Sequence, residues 1–256
     1  MIALRCRLLA SLLVLALSPP ARADEAALPP GYALHRSLPL DKAANGTDGA
    51  LQILEDIRIT PALRGLMWQQ TNDTDLILAA RDPLRAAFAK KPLQPAHLRF
   101  VDGAGKVLAD QPFDVPLADI EVQPLHDGAP TFLVSTDHSV GMGSYAGLET
   151  TLAEIDQGKL VPVALPGRPA LVRSLKNGWK IVDDKVPGAA PAAGVHKAIQ
   201  VVACHPNYAK PDWAATGEFV VDLTTYRYAA GAWHDTVRSL VGYWESDEDW
   251  PGDQFP

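Results

Sequence analysis

A glycine-rich segment at residues 135–147, STDHSVGMGSYAG, carries the most chemically versatile side chains of this chain. Its three glycines let backbone N–H groups approach a ligand closely. Acidic, basic, hydroxyl and phenol groups lie within a few positions of them. The candidate contact residues are Asp137, His138, Ser139, Ser144 and Tyr145.

One chemistry for this segment is nucleophilic catalysis, with Ser139 or Ser144 attacking and His138 as the base beside Asp137. The spacing argues against it, because adjacent residues on extended backbone point to opposite faces. The G-x-S-x-G elbow found in many hydrolases is also missing from the segment. The segment is therefore predicted to bind a ligand or partner, and a hydrolase that uses these residues is the alternative.

A second polar segment follows the apolar run at residues 199–202 and contains Cys204, His205 and Trp213. Adjacent thiol and imidazole groups diverge on a strand, so Cys204 is predicted to be a small buried residue. His205 and Trp213 are predicted binding residues if this segment meets the first one. Closely spaced ligands such as H-E-x-x-H or C-x-x-C do not occur in the sequence, so no metal or other cofactor is predicted.

Residues 1–23 have the pattern of a secretory signal peptide. Arg5 and Arg7 precede an apolar run at residues 8–17, and Ala21-Arg22-Ala23 forms a small-residue cleavage site. The run is shorter than the roughly 20 residues that a membrane-spanning helix needs. Cleavage leaves one cysteine and no possible internal disulfide, which favours a bacterial periplasmic or secreted protein without a membrane span.

The charge of the chain is acidic, with 23 Lys and Arg against 30 Asp and Glu and a formal net charge of −7. Residues 1–23 contain three arginines and no acid, so their removal changes the net charge from −7 to −10. Such a chain is poorly suited to nucleic acids. The predicted partners are another protein or a small ligand.

The elements that must position these segments are mostly strands. A strand is expected from Tyr32 to Leu38, and short helices are expected after Thr60-Pro61 and Asp82-Pro83, because a polar cap followed by proline starts a helix. From residue 96 onward, glycine-containing turns separate apolar runs that favour strands. The predicted hairpin turns are Asp102-Gly103-Ala104-Gly105, Asp156-Gln157-Gly158, Asn177-Gly178 and Ala229-Ala230-Gly231.

These features predict a mainly β fold, an antiparallel hairpin-rich sandwich or propeller-like set of sheets with one or two short N-terminal helices. The predicted organisation is a signal peptide at 1–23, an exposed lead-in at 24–50 and one β-rich domain at 51–256. Within that domain, ranges 96–165 and 169–242 align as two related units, each with a histidine after an apolar strand.

The sequence favours a non-enzymatic exported protein that binds a protein partner or small ligand through loops at one end of the fold. An envelope inhibitor or an immunity-like protein fits this description. The alternative is a periplasmic hydrolase that uses His138 with Ser139, Ser144 or Asp137.

Overall fold

The computed structural model describes residues 27–42, 48–67, 90–126, 130–137, 148–156, 159–184, 197–246 and 248–255. The predicted signal peptide, the expected helix start at Asp82-Pro83 and most of the segment at 135–147 lie outside these ranges. The described part is mainly β, with three antiparallel sheets, which confirms the predicted class.

Each sheet is built largely from strands that follow one another along the chain. Sheet 1 contains β1 (Tyr32–Leu40), β2 (Gly49–Asp56), β3 (His97–Asp102) and β4 (Val107–Pro112). Sheet 2 contains β5 (Ala118–Gln123), β6 (Thr131–Asp137), β7 (Leu148–Asp156), β8 (Lys159–Val163) and β9 (Leu171–Arg173). Sheet 3 contains β10 (Asn177–Asp183), β11 (Lys197–Pro206), β12 (Phe219–Ala229) and β13 (Ala232–Val241).

Sheet 2 is the middle layer and is covered on both faces. Phe132 and Val134 of β6 pack with Phe100 and other residues of sheet 1. Leu133, between them in sequence, belongs to a cluster that includes Ile199 of sheet 3. Successive side chains of a strand point to opposite faces, so a continuous apolar run suits a strand that is buried on both sides.

The outer face of sheet 3 is covered by the C-terminal segment, which contains a 3₁₀ helix at Pro251–Gln254. Val202, Cys204 and Leu223 of the sheet pack against Trp244 and Phe255. The aromatic residues of this acidic segment thus bury their rings on the sheet. Cys204 is a free thiol that is 6% exposed, which confirms the predicted burial.

Two of the predicted turns are confirmed by their backbone geometry. Ala230 and Gly231 have φ angles of 51° and 81° and join β12 to β13 in a two-residue hairpin. Gly105 has a φ of 80° in the hairpin between β3 and β4. The Asp156-Gln157-Gly158 turn has its centre outside the described residues, but Asp156 pairs with Lys159 as a hairpin requires.

The predicted turn at Asn177-Gly178 is wrong. Both residues belong to β10, where they pair with Ala203 and Val202, and the turn itself is formed by Leu175 and Lys176. A Cβ atom at Gly178 would lie 2.8 Å from the Trp244 ring. Glycine is therefore required here by the close approach of an aromatic ring and not by a positive φ.

One of the helices was predicted from the sequence and another was not. Helix α1 (Pro61–Met67) begins as predicted, and the Thr60 hydroxyl accepts the Leu63 amide at 3.2 Å. Helix α2 (Trp213–Thr216) was not predicted. No helix among the described residues combines the length and apolar character needed to cross a membrane.

The proposed lead-in and repeat bounds differ from the bounds of the sheets. Residues 24–50 include β1, which pairs along its length with β2 as an edge strand of sheet 1. Range 96–165 covers the last two strands of sheet 1 and four strands of sheet 2. Range 169–242 covers β9 and all of sheet 3, and whether the two ranges are related units remains a prediction.

Candidate functional site

The two polar segments leave the sheets at the same end of the fold. The first connects β6, which ends at Asp137, to β7, which begins at Leu148. Leu148 pairs with Arg173 of β9, and the hairpin after β9 brings Asn177 opposite Ala203 near the end of β11. The end of β6 at Asp137 and the end of β11 at Pro206 therefore lie at the same end of their sheets. That the two polar segments form a shared site remains a prediction, because residues 138–147 lie outside the described ranges.

The structure separates the predicted site residues into three groups. Asp137 is 1% exposed at the end of β6, and its amide donates to the Leu117 carbonyl at 3.4 Å. His205 is partly exposed on β11, and Trp213 is the first residue of α2. The remaining predicted residues, His138, Ser139, Ser144 and Tyr145, lie outside the described ranges.

His205 is held by two hydrogen-bond acceptors. Its Nε2 lies 3.0 Å from Oδ2 of Asp222 on β12, and its Nδ1 lies 2.9 Å from the Pro206 carbonyl oxygen. Carboxylate and carbonyl oxygens only accept, so both contacts are hydrogen bonds when the imidazole is protonated and carries a hydrogen on each nitrogen. The Asp222 carboxylate, with the Pro206 carbonyl, accordingly raises the pKa of His205 above its ordinary value of 6.5.

Asp222 also links His205 to β13. Its Oδ1 accepts the Ser239 hydroxyl at 2.5 Å, so one carboxylate joins side chains on three successive strands. The Ser239 hydroxyl donates to the acid and not to the imidazole. A serine activated by histidine needs the opposite arrangement, with a free imidazole lone pair facing the hydroxyl. This geometry suits a positioned cation and does not suit general-base catalysis at His205.

Tyr208 covers the imidazole and presents its own ring to solvent. The His205 and Tyr208 rings are parallel within 3°, with centroids 5.8 Å apart, and Tyr208 is 64% exposed. A large exposed aromatic ring beside a cationic group is typical of protein contact surfaces, where tyrosine supplies area at low entropic cost. Among the described residues of this end, Tyr208 is thus well placed to contact a partner.

The connection that carries Tyr208 is fixed by Glu218, just before β12. Its carboxylate accepts Lys210 Nζ and Asn207 Nδ2, each at 2.5 Å, and its carbonyl accepts the Asn207 amide at 2.9 Å. Lys210 and then Asn207 lower the pKa of Glu218. These bonds join the two ends of the β11–β12 connection, so the residues on either side of Tyr208 are held in place by local ion pairing.

A second histidine cluster, which sequence reasoning missed, lies on sheet 1. His97 Nδ1 is 2.6 Å from Asp110 Oδ1, His97 Nε2 is 3.1 Å from the Tyr32 hydroxyl, and Arg99 Nε donates to Asp110 Oδ2 at 2.8 Å. The arrangement is similar in shape to a catalytic acid–histidine–hydroxyl triad. Burial raises the pKa of Tyr32, however, and so disfavours a phenolate nucleophile. The cluster joins β1, β3 and β4.

The charges around α1 are also structural. Arg64 of the helix donates to the Glu55 carboxylate and, at 3.0 Å, to the Ala118 carbonyl of β5. Glu55 is 4% exposed and also accepts the Ala118 amide at 3.1 Å. A buried carboxylate needs such partners to offset the loss of hydration. These bonds fasten α1 and sheet 1 to the first strand of sheet 2.

A surface cavity of about 330 Å³ lies between the outer face of sheet 3 and the C-terminal segment. Its lining includes Val221 and Leu240 of the sheet and Tyr243, Glu248 and Asp249 of the segment. Within the described ranges, no three histidine, cysteine, aspartate or glutamate side chains come together in a way that could hold a metal ion.

Sequence signals for the His205 site were weak because its members are distant along the chain. Asp222 is 17 residues from His205, and their contact depends on the pairing of β11 with β12. One usable signal was present, since Asp222 is the lone acid in the apolar and aromatic β12 sequence FVVDLTTYRYA. Tyr208 carried no comparable signal.

The comparisons with known proteins add no relative. No family model, curated protein or solved structure matches this chain significantly.

Proposed function

We propose that this chain is an exported, non-enzymatic β protein that binds a protein partner at the end of the fold where the β6–β7 and β11–β12 connections emerge. The supporting observation is the exposed Tyr208 ring stacked on a His205 side chain whose two nitrogens are both engaged by acceptors. Such a pair offers an aromatic and cationic contact, but no free base for catalysis.

The acidic character of the chain supports a protein partner over a nucleic acid. The formal net charge is −7, and it becomes −10 if export removes residues 1–23. Electrostatic attraction would favour a basic partner and would increase its rate of association. An envelope inhibitor or an immunity-like protein would use its exposed end in this way.

Among the predicted architectures, we favour the propeller-like one. Three consecutive antiparallel sheets, with the middle one covered on both faces, resemble stacked blades more than the two sheets of a sandwich. The ends of neighbouring strands of such blades lie together and provide a common surface for connecting loops. A crystal structure with only two packed sheets would contradict this architecture.

Site-specific photo-crosslinking tests the proposed contact. A photoreactive phenylalanine analogue at Tyr208 is expected to give a discrete adduct with one partner when the protein is produced in its source cells. The same analogue at Leu108, which is 44% exposed on β4, is the matched control and is expected to give none. No adduct at Tyr208, or the same adducts at both positions, would contradict the proposal.

The second step of the test uses the captured partner in purified form. Tyr208→Ala and His205→Ala are expected to weaken its binding at least about tenfold, as truncation of contact hot spots does. Leu108→Ala is expected to leave the affinity unchanged.

The hydrolase alternative has its own decisive experiment. The purified unmodified protein and the purified His138→Ala variant would each be assayed against ester, phosphoester and peptide substrates. Turnover that disappears in His138→Ala while the far-ultraviolet circular dichroism is unchanged would establish the hydrolase and overturn the non-enzymatic proposal.

A further inference from the structure

Strand β13 is the longest edge strand of the three described sheets. It is ten residues long, pairs with β12 without a register shift, and contains no proline. The edge strands β1 and β4 each have a register shift and a proline, and β8 contains Pro162. The edge strands β5 and β10 have neither feature, but they are only six and seven residues long. Prolines and bulges normally block unwanted pairing of an edge. Among the described strands, none pairs with the outer side of β13.

The pairing with β12 determines which backbone groups of β13 face outward. The Gly242 amide donates to the Phe219 carbonyl at 3.0 Å, just beyond the pair of Val220 and Val241. Bonded and non-bonded pairs alternate in an antiparallel ladder, so every second residue from Val241 backward directs its N–H and C=O away from β12. These outward-facing residues are Trp233, Asp235, Val237, Ser239 and Val241.

We propose that β13 pairs antiparallel with β13 of a second copy of this chain, about a two-fold axis through Val237. A two-fold axis normal to the sheet places opposite each other residues whose side chains lie on the same face of the sheet. With the axis at Val237, this residue lies opposite Val237 of the second copy. Val237 and Val241 are 56% and 66% exposed, and the pairing gives both of them a cross-strand neighbour. The two copies then form one continuous sheet, with an isologous interface that closes at the dimer.

The charges of β13 select this register among its neighbours. With the axis at Val237, Asp235 faces Ser239 of the second copy and Thr236 faces Arg238, so no like charges oppose each other. An axis at Arg238 would place two arginines opposite each other, and an axis at Thr236 would place Arg238 opposite His234. Directly opposed like charges destabilise a strand pair. The strand is therefore self-complementary in the register that uses its whole length.

Analytical ultracentrifugation of two lysine variants tests the dimer. The unmodified protein is expected to sediment as a dimer. Val237→Lys would place two ammonium groups opposite each other at the axis and is expected to weaken the dimer at least about tenfold. The matched control is Val122→Lys on β5, where the valine is 45% exposed, and its dimer is expected to be unchanged.

A proline variant and a crosslink test the register. Val237→Pro removes an N–H that faces away from β12, so sheet 3 is expected to fold while the dimer is lost. Val237→Cys, in a Cys6→Ser background, is expected to crosslink to itself through a short bismaleimide, and Val122→Cys is not. Circular dichroism confirms folding of each variant.

Three results would overturn the inference. They are a monomer at high concentration, open-ended growth with concentration, and a dimer that survives both Val237→Lys and Val237→Pro. If the protein is a monomer and β13 pairs only with a strand of a different protein, that protein is the partner of this edge and the dimer is excluded. The inference is independent of the proposed partner-binding end, and neither result decides the other.

Discussion

His205 donates its Nε2–H to Asp222 across the β11–β12 pair at 3.0 Å, and the same carboxylate accepts the Ser239 hydroxyl. The three side chains lie on successive strands of sheet 3. This relationship favours the protonated imidazole and raises the pKa of His205. It also makes a direct titration experiment informative.

The first prediction concerns the pKa of His205. The raised pKa means that its contribution to stability is complete below pH 6.5 and is lost as pH rises through the folded-state pKa. Asp222→Asn removes the principal cause and is expected to lower the pKa of His205, measured by NMR titration of its ring resonances. Asp110→Asn on sheet 1 is the control and is expected to leave it unchanged. Equal pKa values in Asp222→Asn and the unmodified protein would contradict the assigned hydrogen bond.

The second prediction concerns the close approach at Gly178. A methyl group there would lie 2.8 Å from the Trp244 ring and 3.3 Å from the Trp250 ring, so Gly178→Ala is expected to destabilise the fold by about 1–3 kcal/mol. Urea unfolding measures the change. Gly65→Ala in α1 is the control, because nothing lies within 4 Å of its added Cβ, and it is expected to be neutral or slightly stabilising. Equal midpoints for both variants would refute the packing argument.

The third prediction concerns Asp56, which is 1% exposed at the end of β2. The Arg58 guanidinium, with the amides of Gln94 and Arg58, lowers its pKa to about 2 against the opposing effect of burial. Its charged form therefore adds stability above the ordinary pKa of 3.8, and this is lost as pH falls through about 2.

Asp56→Asn is accordingly expected to cost about 1–2 kcal/mol at pH 7 and progressively less as pH falls from about 4 to 2. Urea unfolding across this pH range measures it. Asp114→Asn, at an exposed acid between β4 and β5, is expected to change stability by less than about 0.5 kcal/mol. A cost for Asp56→Asn that does not vary with pH would exclude the linkage described here.

The fourth prediction concerns the thiol of Cys204 under the C-terminal segment. In a Cys6→Ser background, the native protein is expected to resist a thiol reagent, because Trp244 and Phe255 pack in the same buried cluster. Phe255→Ala is expected to loosen this cover, lower stability by up to about 3 kcal/mol and accelerate labelling. Val122→Ala, at an exposed position of β5, is expected to leave the labelling rate unchanged. Rapid labelling of the native protein would contradict the packing.

The sequence predicted those parts of the fold that depend on a few neighbouring residues. The Ala230-Gly231 hairpin and the Thr60 cap were identified correctly, because positive φ angles and helix caps are properties of local backbone. Gly178 was misassigned to a turn because local patterns do not show distant contacts. Glycine is needed there because the Trp244 ring, which is distant in the sequence, lies too close for a side chain. The predicted class was correct, but the bounds of the sheets did not follow the proposed 96–165 and 169–242 units.

The candidate site was predicted only in part. His205 was chosen from its position after an apolar strand, whereas Asp222, Ser239 and Tyr208 were not. The Tyr32–His97–Asp110 cluster was also missed, because its members come from three strands that meet only in the folded sheet. Strand register decides such contacts, and a register shift of one residue would direct each of these side chains to the opposite face.

By itself, the sequence determined the acidic net charge, the mainly β class and the local hairpins and caps, because each depends on composition or on a few adjacent residues. It also carries the export signal as a prediction. Tertiary structure alone decided that sheet 2 is buried on both faces, that β6 and β11 end at the same end of their sheets, and that both nitrogens of His205 are engaged. These features arise from pairings between distant strands, which no local pattern encodes.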